Sequence, residues 1–264
     1  MKIVFITGDH LRHRYMSHSL SDNSFEIFRV FQKREDFVPQ SPVIIDKNLG
    51  DIYKKHFNKR QNAELNFFNE VKVFKGSKNI FIESQDFNNG TLLKIVSEIR
   101  PDIILSYGCN LLSEDILKLA KVHTLNIHGG LSPWYRGTAT HFWPSYFLEP
   151  QFTGITLHFT SMKIDGGNIV HQSAINPQKQ DGIHEHACRN VKFFADQLNQ
   201  IILQLTGMDR FSGISQENSG KLWTNNMWKP SHLKIIHELF DDKINKYCIE
   251  NNLIDRKPKL ISLL

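Results

Sequence analysis

An amide and an imidazole stand two residues apart in a segment rich in small residues. Asn126 and His128 belong to the stretch N-I-H-G-G-L-S-P-W-Y-R-G, which begins at the end of an apolar run. If that run is a β-strand, both side chains point to the same face, because residues i and i+2 of a strand share a face. An amide donor beside a histidine suits a carbonyl oxygen that becomes negative while a proton moves. For an isolated N-x-H tripeptide, a strand-end histidine bonded only to backbone groups is the alternative.

The whole stretch resembles the active-site signature of the N10-formyltetrahydrofolate-dependent formyltransferases. In that family the N-x-H is followed by small residues, by Leu-x-Pro and by aromatic-Arg-Gly, which here are Leu131, Pro133 and 135–137. The segment 154–170, G-I-T-L-H-F-T-S-M-K-I-D-G-G-N-I-V, resembles the family's aspartate motif and maps that role onto Asp165. The two motifs stand in the family's order and spacing, so the pair is a specific signal.

The resemblance implies an acyl transfer with three side chains in defined roles. A neutral amine attacks the formyl carbon, and the formyl oxygen becomes anionic in a tetrahedral intermediate. Asn126 would donate a hydrogen bond to that oxygen, and His128 would carry the proton from the amine toward the folate nitrogen. Asp165 would orient the imidazole and raise its pKa. The chemistry requires neither a metal ion nor a cysteine nucleophile.

The resemblance also implies a pocket for N10-formyltetrahydrofolate, the co-substrate, at the ends of two strands. Its walls would be the loop after the strand D-I-I-L-S-Y-G, the glycines after His128 and the turn around Asp165. The predicted folate contacts are Tyr107, Gly108, Cys109, Asn110, Leu111, Gly129 and Gly130.

Basic residues after the first strand are candidates for the acceptor. We predict a loop over 8–16, G-D-H-L-R-H-R-Y-M, in which cationic side chains contact a pyrophosphate, since such groups at strand ends suit phosphate oxygens. A solvated basic loop fits the pattern equally well. The predicted substrate-binding residues are Arg12, His13, Arg14, Tyr135 and Arg136.

Two further groups of charged or metal-ligating side chains carry weaker signals. Lys59 and Arg60 lie in a helical pattern and are interpreted as mainly a solvated helix face, with acceptor contact as the alternative. His184 and His186 do not predict a zinc site, because residues two apart on a helix point in different directions.

The elements that must position these residues alternate along the chain. The apolar runs 2–7, 25–31, 79–83, 102–108 and 122–130 predict strands, and the patterns 51–73, 91–99 and 184–206 predict helices. Such alternation implies right-handed crossovers and a Rossmann-like, open and mostly parallel α/β sheet. The run 154–172 predicts an antiparallel hairpin with Asp165 in its turn. Ligands bind such sheets at the carboxyl ends of the strands.

The chain is expected to divide into a catalytic domain, 1–208, and a short C-terminal extension, 209–264. The resemblance extends to about residue 208, after which the composition shifts toward Ser, Gly, Asn and Lys. Within the extension, the segment 220–233 predicts a hairpin that packs Trp223 and Trp228 into the core, or else part of a nucleotide or dimer surface.

Composition excludes several classes of protein. The 264 residues are 40% hydrophobic and 22% charged, which excludes disordered and collagen-like chains. Three widely spaced cysteines and the lack of a signal-peptide core or an 18-residue apolar stretch predict a soluble protein of the reducing cytoplasm, without a membrane partner. The net charge of +5 is distributed as +4 over 1–75, −1 over 76–208 and +2 over 209–264. A thin surplus of this kind favours a phosphorylated small molecule over a nucleic-acid polymer.

These observations lead to one leading acceptor and several alternatives. We expect a nucleotide-linked amino-deoxy sugar, a 4-amino-4,6-dideoxyhexose by family habit, destined for a bacterial surface glycan such as O-antigen or lipopolysaccharide, and a homodimer as the assembly. Methionyl-tRNA and glycinamide ribonucleotide are the alternative acceptors. By the resemblance, a tRNA substrate would need a C-terminal barrel of about a hundred residues, longer than the 56 residues available here. A catalytically silent module that binds folate or a nucleotide sugar is the alternative outside enzymes.

Overall fold

A seven-stranded open sheet forms the centre of the protein. The computed structural model describes residues 1–20, 23–33, 46–69, 71, 76, 78–208, 211–216 and 220–264. The strands formed by these residues are β1 (Lys2–Gly8), β2 (Glu26–Gln32), β3 (Asn79–Ile82), β4 (Ile103–Tyr107), β5 (His123–His128), β6 (Tyr135–Gly137), β7 (Ile155–Phe159), β8 (Ile169–Ser173) and β9 (Lys221–Trp223). The order in the large sheet is β3-β2-β1-β4-β5-β7-β8. The first five strands are parallel, and the β7–β8 hairpin extends the sheet in antiparallel fashion, which confirms the predicted fold class.

Helices cover the two faces of this sheet unequally. The α-helices are α1 (Leu11–His18), α2 (Lys47–Phe68), α3 (Thr91–Ile99), α4 (Glu114–Leu117), α5 (Trp143–Tyr146), α6 (Ile183–Thr206) and α7 (Ile244–Glu250). On one face, α1, α2 and α6 share a core with side chains from β1, β2, β4, β5, β7 and β8. On the other face, the core under α3 and α4 draws its strand residues from β1 to β4. On this other face, β5 and β7 contribute no side chain to the core under α3 and α4, so their side chains there can form a functional site. No helix among the described residues has the length and apolar character needed to cross a bilayer.

Most predicted elements are present, with two differences near the N-terminus. The segment 8–16, predicted as a loop, contains the helix α1, whose Met16 and Ser17 are buried under the sheet. The weakly apolar sequence of this segment gives no helical signal, so tertiary packing decides its structure. The second difference concerns α2, which begins earlier than predicted because Asp46 accepts a hydrogen bond from the N–H of Leu49 at 2.8 Å, an N-cap contact. Residues 70, 72 and 73 of the predicted helix lie outside the described residues.

The C-terminal extension is packed against the rest of the chain. Its strand β9 pairs in parallel with β6, so the predicted hairpin within 220–233 is wrong. The predicted packing of the two tryptophans on the core is confirmed: the buried Trp223 ring stacks on Trp143 with 4.1 Å between centroids, and the partly buried Trp228 packs against the same core. The chain end runs beside β8, where the Gln172 N–H donates to the Ile261 carbonyl at 2.7 Å. The boundary at residue 208 stays a prediction, since side chains from both parts share one core.

Truncation of Trp223 should destabilise the whole protein. Its side chain is 6% exposed and stacks on Trp143, so Trp223→Ala leaves a large cavity in the core that both parts of the chain share. We expect the free energy of unfolding to fall by about 3–5 kcal/mol, as for other large-to-small substitutions of buried aromatic residues. Urea denaturation measures this change, and Phe193→Ala, which removes a ring that is 41% exposed on α6, is the matched control. Equal effects of the two substitutions would contradict the shared core.

Candidate active site

The predicted catalytic side chains project from the face of the sheet that α3 and α4 leave uncovered. In the antiparallel pairing of β5 with β7, Asn126 lies opposite His158, and His128 lies opposite Thr156. The intervening Ile127 is buried in the core on the other face. Because alternate residues of a strand share a face, these four polar side chains lie on one surface. The predicted common face of Asn126 and His128 is confirmed.

The side-chain amide of Asn126 has a fixed orientation. Ser106 Oγ donates a hydrogen bond to Asn126 Oδ1 at 2.8 Å. Asn126 Nδ2 lies 3.1 Å from His158 Nε2 and donates to Asp165 Oδ1 at 3.4 Å. His158 Nδ1 is 2.9 Å from the carbonyl oxygen of Phe159, and His158 Nε2 also lies 3.5 Å from Asp165 Oδ1. The N–H groups of Asn126 are thus held toward the interior of the site.

Both ring nitrogens of His128 face hydrogen-bond acceptors. Nε2 donates to the Tyr135 carbonyl oxygen at 2.9 Å, and Nδ1 lies 3.4 Å from Asp165 Oδ2. Gly130 makes the first contact possible, since a Cβ at this position would lie 2.6 Å from the Tyr135 carbonyl oxygen and 2.7 Å from His128 Nε2. The imidazole can therefore hold two protons, one on each nitrogen, with an acceptor for each.

Asp165 is held by contacts to both its carboxylate and its backbone. Its φ of 47° lies in the left-handed region, which is uncommon for a residue with a side chain. The Gly137 N–H donates to Oδ2 at 2.8 Å, while Gln216 Nε2 and Ser132 Oγ donate to the Asp165 carbonyl at 2.9 and 3.3 Å. These contacts come from three separate segments. Together they hold the carboxylate beside Asn126 and His128.

Burial and neighbouring charges set the pKa values of His128 and Asp165. Burial lowers the pKa of His128, and Asp165 and the Tyr135 carbonyl raise it by less, so the net shift is downward. The predicted effect of Asp165, which raises the pKa of His128, is confirmed, but burial lowers that pKa by more. Burial favours a higher pKa for Asp165, yet His128, His158 and the Gly137 N–H outweigh it and lower the pKa to about 2. At neutral pH the site holds a carboxylate beside a neutral imidazole that can accept a proton.

This arrangement can stabilise a negative oxygen and accept a proton in the same small volume. The Asn126 amide is an oriented donor, and a protonated His128 would lie between the Tyr135 carbonyl and the Asp165 carboxylate. Such a cation adds positive charge next to the amide when an oxyanion forms. The geometry suits addition of a nucleophile to a carbonyl group with transfer of its proton to the imidazole.

The predicted folate residues lie at the ends of β4 and β5. The Tyr107 side chain is buried in the core under α1, with its ring 5.0 Å from His13, and burial raises its pKa to about 12. A ligand bound at the ends of β4 and β5 would therefore contact the backbone of Tyr107 and not its side chain. The loop that follows is fixed by Asn110, whose N–H donates to Gln32 Oε1 at 2.9 Å, while Leu111 is 81% exposed.

The glycines and Cys109 of the predicted folate pocket occupy close-packed positions. Gly108, with φ of 56°, lies against the ring of His13, and Gly129 lies against His141. Cys109 is partly buried and packs against the core under α3 and α4. Their contacts with folate stay predictions.

The predicted acceptor cations are paired with carboxylates. Arg12 forms an ion pair with the buried Glu64, and Arg14 Nη2 lies 2.7 Å from Asp9 Oδ1. His13 is 7% exposed and fills the space beside Gly8 and Gly108. In this arrangement the three side chains brace the end of β1, and their contact with an acceptor stays a prediction.

Tyr135 and Arg136 lie on the short strand β6. The Tyr135 hydroxyl donates to Glu149 Oε2 at 2.7 Å, and its carbonyl holds His128. A Cβ at Gly166 would lie 3.3 Å from Arg136 Nη1, so the guanidinium is next to the turn that carries Asp165. Tyr135 thus borders the site through its backbone carbonyl and Arg136 through its side chain, and their contacts with an acceptor stay predictions.

Lys59 and Arg60 do not form the solvated helix face that we predicted. Lys59 Nζ donates to Asp242 Oδ2 at 2.7 Å, and Arg60 Nε lies 3.3 Å from Glu64 Oε1. Burial, followed by the charge of Arg12, lowers the pKa of Arg60 to about 10. The helix face is instead covered by α6 and by the C-terminal extension, which the local pattern does not reveal.

His184 and His186 have separate surroundings. His184 packs against His56 with the two rings tilted by 58° and 4.4 Å between their centroids, and His186 Nε2 donates to the Pro150 carbonyl at 2.9 Å. Within the described ranges, no group of three or more His, Cys, Asp or Glu side chains has the geometry of a metal site.

Several residues of the site are missed by sequence reasoning. Ser106, His158 and Gln216 orient Asn126 and Asp165, and the Tyr135 carbonyl and Gly137 N–H bind His128 and Asp165 through backbone atoms. His158 stands within the motif segment 154–170, but its role depends on the β5–β7 register. Backbone contacts leave no residue-type signal in a sequence.

Comparison with known proteins identifies a matching family model. The model described as formyl transferase matches residues 1–194. Among curated proteins, the bifunctional polymyxin resistance protein ArnA of Wigglesworthia glossinidia brevipalpis is 38% identical over 122 residues, which are 45% of this chain and 18% of that protein. The matched segment thus spans less than a fifth of that relative.

Solved structures show the same fold at low sequence identity. The formyltransferase PseJ from Anoxybacillus kamchatkensis, in complex with UDP-4,6-dideoxy-4-formamido-L-AltNAc and tetrahydrofolate, matches with a TM-score of 0.51 and 19% identity over 93% of this chain and 97% of that one. The phosphoribosylglycinamide formyltransferase from Anaplasma phagocytophilum matches with a TM-score of 0.55 and 14% identity, over 85% and 97% of the two chains.

Gly130→Ala should separate Tyr135 from His128. The new Cβ would contact both groups, and because the Tyr135 carbonyl raises the pKa of His128, its displacement should lower that pKa further. A pH titration of the His128 ring by nuclear magnetic resonance measures the shift. Gly76→Ala is the control, since its Cβ would enter open space. An unchanged His128 pKa in folded Gly130→Ala protein would refute the role given to Gly130.

Asp165 should contribute stability that disappears in acid. Its folded-state pKa of about 2 is below the ordinary aspartate value, so the contribution is present above pH 4 and is lost as the pH falls toward 2. A shift of this size corresponds to about 2 kcal/mol. Urea denaturation at pH 6 and near pH 2 should show a smaller acid loss in Asp165→Asn than in wild type or in Asp115→Asn, which removes an exposed carboxylate on α4. Parallel acid losses in all three proteins would contradict this prediction.

Proposed function

The chain belongs to the formyl transferase family, and from that premise we propose that it moves a formyl group from N10-formyltetrahydrofolate to the amine of a nucleotide-linked amino-deoxy sugar. The observation that carries the proposal is the convergence of an oriented amide, an imidazole and a carboxylate on the open face of β5. Asn126 Nδ2 and His128 Nδ1 each lie 3.4 Å from an oxygen of Asp165. One small site thus combines a donor for the negative oxygen with an acceptor for the proton.

In the proposed mechanism, the amine of the acceptor attacks the formyl carbon. The electron pair of the carbonyl bond moves to the formyl oxygen, and Asn126 donates a hydrogen bond to it. The intermediate collapses when the bond from carbon to N10 breaks, which leaves the formyl group on the acceptor and releases tetrahydrofolate. An oriented donor of this kind is worth about 3 kcal/mol of barrier at other oxyanion sites.

His128 carries the proton between the two nitrogens. The attacking amine becomes an ammonium on addition and gives a proton to the neutral imidazole, and the imidazolium then protonates N10 as it leaves. The low pKa of Asp165 keeps a negative charge beside the ring throughout the cycle. The free imidazole is neutral because burial lowers its pKa, so it is ready to accept a proton at the start of the cycle.

A solved relative supports a sugar-nucleotide acceptor. PseJ was solved with a UDP-linked formamido sugar and tetrahydrofolate, which are the two products of such a transfer. We propose a 4-amino-4,6-dideoxyhexose as the sugar and a bacterial surface glycan, such as O-antigen or lipopolysaccharide, as its destination. The folate contacts at 107–111 and 129–130, the acceptor contacts at 12–14 and 135–136, the cytoplasmic location and the homodimer stay predictions.

Substitution of the catalytic residues should abolish most of the transfer. With N10-formyltetrahydrofolate and an amino-sugar nucleotide, we expect Asn126→Ala to lower kcat by about 10²–10³-fold, because it removes the donor to the oxyanion. We expect His128→Ala to lower kcat by about 10²–10⁴-fold, because it removes the proton carrier. Release of tetrahydrofolate is followed spectrophotometrically.

The matched control is His123→Gln, which replaces a histidine at the opposite end of β5. It should retain wild-type kcat. The proposed roles would be refuted if folded Asn126→Ala or His128→Ala had activity close to that of wild type. Wild-type protein that binds both ligands yet releases no tetrahydrofolate would instead favour a silent binding module.

The class of acceptor can be identified by thermal stabilisation. A ligand that binds only the folded state raises the apparent melting temperature. We expect a shift with one of the UDP-, dTDP- or GDP-linked amino sugars, and none with glycinamide ribonucleotide or methionyl-tRNA at matched concentration. A shift with glycinamide ribonucleotide alone or tRNA alone would overturn the proposed acceptor while leaving the formyl transfer chemistry intact.

A further inference from the structure

A cleft lies behind strand β6, whose Tyr135 carbonyl bonds to His128. It has a volume of about 360 Å³, which falls within the range of small-molecule sites. Residues from β6, from the segment after α5 and from the C-terminal extension line it: Trp134, Tyr135, Phe147, Glu149, Phe152, Gly220, Lys221, Trp223 and Arg256. The Tyr135 backbone carbonyl bonds to His128, whereas the Tyr135 side chain lines this cleft. The cleft is thus next to the active site, but its lining contains none of the three catalytic side chains.

Aromatic rings form much of the wall. Trp223 is anchored by stacking on Trp143, and the Phe147 ring lies 5.4 Å from the Trp223 ring. Phe147 is 45% exposed, although the side chains around it are mostly buried. Trp134 packs edge-on against Phe152 at 5.5 Å between centroids. Large, fixed and partly uncovered aromatic faces suit a planar apolar ring.

The charged groups at this wall favour an anion. Lys221 Nζ lies 4.0 Å from the centre of the Trp223 ring, and no carboxylate among the described residues forms an ion pair with it. Arg256 lies over the Phe152 ring at 5.0 Å and bonds through Nη1 to Glu149 Oε1 at 3.0 Å. Glu149, the one carboxylate in the lining, also accepts from the Tyr135 hydroxyl. Its charge is therefore offset within the wall, which leaves a surplus positive charge.

We propose that this cleft binds an aromatic anion of mononucleotide size. The planar ring contacts Trp134 and Phe147, and the anionic group contacts Lys221 and Arg256. Mononucleotides and the aminobenzoyl-glutamate end of folates share this chemistry, since each has a planar ring and an anionic group a few bonds away. The inference does not depend on the identity of the sugar acceptor.

Titration with adenosine 5′-monophosphate tests the proposal. Two of the four tryptophans line the cleft, so binding should quench tryptophan fluorescence, and calorimetry gives the affinity. We expect saturable binding to wild type, at least tenfold weaker binding to Lys221→Glu and Arg256→Ala, and wild-type affinity in Lys94→Glu. The last variant makes the same charge change on an exposed residue of α3, outside the cleft. Circular dichroism confirms that each variant is folded.

Two results would overturn the proposal. One is affinity for adenosine 5′-monophosphate that Lys221→Glu and Arg256→Ala leave unchanged, since the nucleotide would then bind elsewhere. The other is affinity of wild type no greater than for inorganic phosphate, since the aromatic wall would then contribute nothing.

Further arms identify the source of the ligand. Tighter binding of 4-aminobenzoyl-glutamate than of the nucleotide would assign the cleft to folates, and the reverse would assign it to nucleotides. A tenfold higher KM for the sugar nucleotide in Lys221→Glu, with kcat unchanged, would identify the acceptor itself as the occupant. An unchanged KM would identify a separate ligand. The titrations require no enzyme activity, so failure of the proposed function does not decide the outcome.

Discussion

The antiparallel pairing of β5 with β7 is the constraint on which the site depends. It places His158 directly opposite Asn126, so the amide has a hydrogen-bond partner at 3.1 Å and cannot rotate freely. The chain that leaves β7 must turn within a few residues to form β8, and that turn carries Asp165 back to the same face. A slip of one residue in this pairing would move the polar side chains of β7 into the core. The register of β5 and β7 therefore decides whether Asn126, His158 and Asp165 lie within contact of one another.

Backbone groups complete the site, and the C-terminal extension holds them in place. The Tyr135 carbonyl and the Gly137 N–H, both on β6, bind His128 and Asp165. Strand β6 pairs with β9, whose Trp223 stacks on Trp143. Gly137, with φ of 90°, packs so closely against the Trp223 backbone that a Cβ there would overlap it. The extension is thus a structural support of the active site, whatever ligand it also contacts.

Among the described residues, the ion pairs of Asp165 are with His128 and His158, and no Lys or Arg forms one with it. The basic residues at the end of β1 are largely neutralised by acidic partners, Arg12 by Glu64 and Arg14 by Asp9. The positive net charge of the chain therefore says little about where an anionic acceptor binds. The cleft lined by Trp134 and Lys221 differs, because Glu149, the one carboxylate in its described lining, bonds to Arg256 and not to Lys221. Local pairing thus decides which cations are available to a ligand.

Apolar periodicity and glycine positions in the sequence predicted the fold class and the strands of the main sheet. The resemblance of two motifs to a known family predicted the roles of Asn126, His128 and Asp165, and those roles stay predictions. Tertiary structure alone decided that 8–16 contains a helix, that β9 pairs with β6, and that Lys59 and Arg60 are in ion pairs with Asp242 and Glu64. It also decided the net pKa of His128, because burial outweighs the nearby carboxylate. Each of these depends on contacts between residues distant in the chain, and a local pattern has no information about them.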